Sequence, residues 1–72
     1  MNPLAQAIID ITSVRSFTRQ KTSAAEIVDV IVDHRPASYA AAEAQIKQIP
    51  DRRLRTFALF ALCNVGRRSF AS

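Results

Sequence analysis

Ser23-Ala24-Ala25-Glu26-Ile27-Val28-Asp29-Val30-Ile31-Val32-Asp33 admits two readings with opposite consequences for the fold class. The density of β-branched residues from Ile27 to Val32 suits a strand. Two features favour a helix. Ser23 and Glu26 have the spacing of a capping box, in which a hydroxyl and a carboxylate satisfy reciprocal backbone donors. The acids Glu26, Asp29 and Asp33 also group on one narrow face at helical spacing, opposite Ile27, Val28 and Ile31. No other segment offers a partner strand. Residues 23–33 are therefore read as a helix that ends before Pro36, and the chain as all-α.

Working toward the C-terminus, Ser38 is a cap for a third helix. Tyr39, Ala42, Ile46 and Ile49 share a face, and Glu43 stands four residues before Lys47 in the favourable orientation for an ion pair. Pro50-Asp51 breaks and restarts the chain, and Asp51 caps a fourth helix. The apolar residues of that helix run almost completely round it, from Leu54 and Phe57 to Leu62, Cys63 and Val65. Leu54, Ala58, Ala61 and Val65 make a smooth stripe along which another helix can approach closely. Gly66 is a left-handed stop. A helix apolar on every side belongs at the centre of the fold or half-buried against another molecule. Residues 67–72 form a basic tail that frays or docks through Phe70.

Toward the N-terminus, Asn2-Pro3 opens a first helix of roughly 12 residues, with Asn at the cap and Pro at the first helical position. Leu4, Ala7, Ile8, Ile11 and Val14 fall on one side of it. Arg15 to Thr22 loses the period and reads as a linker, with Phe17 tucked back onto the core. The expected architecture is one domain, residues 1–72. It is a compact bundle of three or four short helices with the apolar C-terminal helix at its centre.

A chain of 72 residues buries a smaller fraction of its surface than a typical domain, and such scaffolds lean on disulfides, a metal or a partner. Cys63 is the only cysteine, so no disulfide forms within the chain. One Cys and one His34 fall short of the about four ligands of a zinc site. No metal and no cofactor are expected. Helix packing or association, including a homodimer, remains. In its apolar run Cys63 reads as a reduced, buried small hydrophobe, which points to a cytoplasmic setting. The longest apolar run, Phe57 to Cys63, is far shorter than the about 20 residues of a membrane span. Met1 to Leu4 lacks the basic and apolar regions of a signal peptide.

Nothing in the chain supports catalysis. One glycine cannot build a phosphate-cradling loop. His34 adjoins Asp33, but successive side chains on a helix diverge by about 100°, so adjacency makes no dyad. On the wheel His34 falls at the edge of the apolar face, where a helix-end or partly buried histidine is the ordinary explanation. Glu26, Asp29 and Asp33 match no metal-ligand spacing and read as a solvated face, or as a docking patch for a basic partner.

The net charge of +4 resides in the last 22 residues, where Arg52, Arg53, Arg55, Arg67 and Arg68 stand against Asp51 alone. Before Asp51 the five basic and five acidic groups cancel. Such asymmetry suits an anionic partner, although solvated arginines that keep a small protein in solution explain it equally. Two function classes follow. In the favoured one, a non-enzymatic inhibitor, antiactivator or adaptor docks on a larger protein through Leu59, Phe60 and Leu62, flanked by Arg52, Arg53 and Arg55. In the alternative, a small DNA-binding regulator holds phosphates with Arg52, Arg53, Arg55, Arg67 and Arg68. Helices three and four could then form a helix-turn-helix. The apolar body of helix four is unsuited to a groove of DNA.

Overall fold

The computed structural model describes residues 2–66. Four helices follow one another: α1 (Pro3–Phe17), α2 (Ala24–Asp33), α3 (Tyr39–Ile46) and α4 (Arg52–Val65). The fold is an all-α bundle, and no strand occurs among the described residues.

Each helix starts where a side chain can relieve its unpaired first-turn N–H groups. Asn2 Oδ1 accepts from the Ala5 amide at 2.8 Å, Ser23 Oγ from Glu26 at 3.3 Å, and Ser38 Oγ from Ala41 at 3.0 Å. Asp51 Oδ1 accepts from Arg53 at 2.9 Å and from Leu54 at 3.1 Å. Asn2 does more than cap. Its Nδ2 donates to the Gln45 carbonyl at 3.0 Å and to Gln48 Oε1 at 3.2 Å, which ties the start of α1 to the end of α3.

The helix ends differ in how they stop. After α1 the Gln20 amide returns to the Arg15 carbonyl and the Arg19 amide to that of Ser16, the two bonds of a Schellman motif. The left-handed position, which usually falls to glycine, is held by Arg19 at φ 60°. Arg35 plays the same part after α2 at φ 45°. Gly66 has φ 78° but ψ 156°. It therefore occupies a region essentially restricted to glycine rather than the left-handed helical stop expected of it.

The core comprises Leu4, Ala5 and Ile8 of α1, Ile27 and Ile31 of α2, Ala42 and Ile46 of α3, Ile49, and Ala58, Ala61 and Leu62 of α4. Each of the larger side chains contributes about 1.5–3 kcal/mol by leaving water. α4 packs on α2 and α3, and α1 packs on the same two helices. Ala58 and Ala61, read as an approach stripe, are consumed inside the bundle.

Four expectations are corrected. The first helix runs on to Phe17, because Arg15 donates from Nε to Glu26 Oε2 at 2.9 Å on α2 and Thr18 Oγ1 bonds back to Val14 and Arg15 carbonyls. Phe17 is not tucked onto the core but 90% exposed, and Val14 is 62% exposed. Their place beside the core is taken by Ile9, since α1 turns its Leu4–Ala5–Ile8 flank toward α2 and α3. Glu26 leaves the solvated acidic face: one oxygen holds Arg15 and the other takes the Ser23 hydroxyl at 3.4 Å. Cys63 is exposed rather than buried, with its sulfur 3.5 Å from the Tyr39 hydroxyl.

Helix length now sets the shape. α3 has eight residues and α1 has fifteen. At about 1.5 Å per residue, α3 runs out while α1 continues. Beyond Ile8 no side chain of α1 is fully buried, and a hollow opens between the second half of α1 and the start of α4.

Candidate functional site

On α4, residues at positions 52, 53, 56, 57 and 60 fall at the i, i+3, i+4 spacings that bring side chains together on one side of a helix. Arg52, Arg53, Thr56, Phe57 and Phe60 indeed line one shallow hollow. Phe60 is 57% exposed and Phe57 is partly buried against the core. Arg52 and Arg53 are exposed. No ion pair among the described residues engages either of them, the two pairs being Arg15–Glu26 and Lys47–Glu43.

Three of the expected contact residues therefore come together: Arg52, Arg53 and Phe60. The others part from them for separate reasons. Leu62 is fully buried, because the core side of α4 runs through Ala58, Ala61 and Leu62. It cannot take part in docking. Leu59 is partly buried against the core and lies outside the hollow. Arg55 is half-buried and spends its Nη1 on the Ile49 carbonyl at 3.2 Å, which closes the end of α3. Its charge serves the α3–α4 junction. Arg67 and Arg68, like the tail residue Phe70, lie outside the described residues.

The hollow on α4 does not stand alone. A second, lined by Thr12, Ser16, Gln20, Lys21, Thr22, Asp51, Arg53, Leu54 and Phe57, adjoins it at Arg53 and Phe57. A third shares Thr12, Ser16, Asp51 and Leu54 with the second and continues to Ile9, Ile49 and Phe17. The walls are thus the second half of α1 and the first half of α4, with Ile49 and Leu54 at the base. Sequence reasoning missed the α1 wall. The available signal was Ile9 and Phe17, two apolar residues eight positions apart on one side of α1.

The remaining candidates are placed simply. His34 caps the end of α2, with Nδ1 2.9 Å from the Val30 carbonyl. Asp29 and Asp33 are exposed on α2. Among the described residues no three His, Cys, Asp or Glu side chains gather to hold a metal ion, and no helix is long and apolar enough to cross a membrane. No protein-family model matches this chain, and no characterised protein or solved structure proved similar to it.

Proposed function

We propose that this chain is a small non-enzymatic regulatory protein of the cytoplasm, an inhibitor, antiactivator or adaptor, that docks on a larger protein through the exposed side of α4. The supporting observation is Phe60, more than half in water, beside Phe57 and two arginines that no ion pair among the described residues engages. Aromatic and arginine side chains are over-represented in the energetic centres of protein interfaces. A solvent-exposed phenylalanine also contributes little to the stability of its own chain. The DNA-binding alternative retains fewer groups than its sequence basis, since Arg55 is committed to the Ile49 carbonyl.

The test places a photo-crosslinking benzoylphenylalanine at position 60 in cells, with position 29 on α2 as the control. A discrete heavier adduct from position 60 and none from position 29 is the expected result. Adducts only from position 29 would move the docking face to α2. Fluorescence anisotropy with mixed-sequence duplex DNA covers the alternative. Micromolar binding that falls steeply with salt would replace protein docking with a nucleic-acid role.

A further inference from the structure

We infer that the occupant of the α1–α4 groove is a single amphipathic helix of a partner protein, with acidic residues flanking its apolar stripe. This rests on the docking role proposed above and extends it from one face of α4 to a groove with two walls.

Three observations carry the inference. The first is continuity. The three hollows share lining residues in sequence, so Phe60 at one end and Phe17 at the other belong to one channel. Its base is apolar at Ile9, Ile49 and Leu54, and its two most exposed aromatic side chains stand on different helices, Phe17 on α1 and Phe60 on α4.

The second is the state of the backbone. Both walls are helices, whose N–H and C=O groups are spent within the helix. The last turn of α1 is closed by the Schellman bonds. An extended peptide finds no strand edge to pair with here. A helix arrives with its own backbone satisfied and needs only an apolar stripe, the helix-in-groove mode of recognition.

The third is charge. The lining includes Arg52, Arg53 and Lys21, and its one acid, Asp51, is held by the Arg53 and Leu54 amides as the cap of α4. Like charge disfavours the other local occupants. Two grooves brought face to face would oppose their arginines, and residues 67–72 carry Arg67 and Arg68 with no acid.

The experiment titrates the full chain into a fluorescein-labelled synthetic peptide of about four helical turns, leucine along one stripe and glutamate beside it. A matched peptide carries lysine for every glutamate. The expected result is saturable binding of the acidic peptide, weaker by about tenfold or more for the lysine peptide. Phe17→Ala and Phe60→Ala should each weaken it by about fivefold or more with unchanged helical circular dichroism. Equal binding of the two peptides, or none of either, would overturn the inference. So would loss with Phe60→Ala alone, which would confine docking to α4. Tighter binding to phosphatidylserine vesicles or duplex DNA would assign the groove to a membrane or to nucleic acid. A dimer in sedimentation that Phe17→Ala disperses would assign it to a second copy. A crosslink at position 60 combined with failure of the acidic peptide would leave the docking role standing and remove only the acidic helix.

Discussion

In the first half of α1, Leu4, Ala5 and Ile8 are fully buried and Asn2 is fastened to α3. In the second half, Val14 and Phe17 stand mostly in water on the same unbroken helix. Both halves carry apolar side chains at three- and four-residue intervals. What separates them is the neighbour: the first half packs into the core, whereas Phe17 in the second borders an open hollow. Helical periodicity identifies which side of a helix is apolar. It carries no information on whether anything covers that side.

The contrast can be broken most directly by truncation in each half. Ile8→Ala should cost about 2–5 kcal/mol, a large share of the stability of so short a chain. Phe17→Ala should stay within about 0.5 kcal/mol. Urea unfolding followed by far-ultraviolet circular dichroism measures both, and equal losses would erase the distinction. An intermediate effect is expected from Asn2→Ala, about 1 kcal/mol for the cap and somewhat more for the tie to Gln45 and Gln48. Asn2→Ser should recover the cap but not the tie, and full recovery in thermal melts would show that the tie contributes nothing. An effect of opposite sign concerns the stop after α1. Arg19→Gly relieves a left-handed strain of about 1–2 kcal/mol against a glycine entropy cost of roughly 0.5–1 kcal/mol. The melting temperature should rise slightly, whereas Arg19→Ala, which keeps the strain, should leave it unchanged.

The parts of the fold that were legible in the sequence are those governed by nearby residues. Asn2, Ser23, Ser38 and Asp51 all cap the helices expected of them. Ala42, Ile46 and Ile49 are buried on the shared face assigned to them, and Glu43 pairs with Lys47 at 3.7 Å. Residues 24–33 are helical despite their β-branched content, because the cap and the Ile27–Ile31 pair outweigh intrinsic propensity. The errors concern distant neighbours. With apolar residues on every side of α4, no wheel could say that Leu62 faces inward and Phe60 outward. The commitment of Arg55 depends on where the Ile49 carbonyl lies, and that of Glu26 on the reach of Arg15 from another helix. Ile9 and Phe17 mark an apolar side of α1, but nothing within residues 9–17 records whether another helix covers it.

The arginines and the lysine of the groove have one more consequence. Arg52, Arg53 and Lys21 are exposed to water, where an ion pair adds only about 0–1 kcal/mol to a finished contact. Their field nevertheless reaches about 8 Å at physiological ionic strength, beyond the range of any van der Waals contact. That is enough to bias the encounters of a diffusing acidic surface. Under the proposed docking role, the cations would govern how often an acidic partner arrives, and the phenylalanines how long it stays.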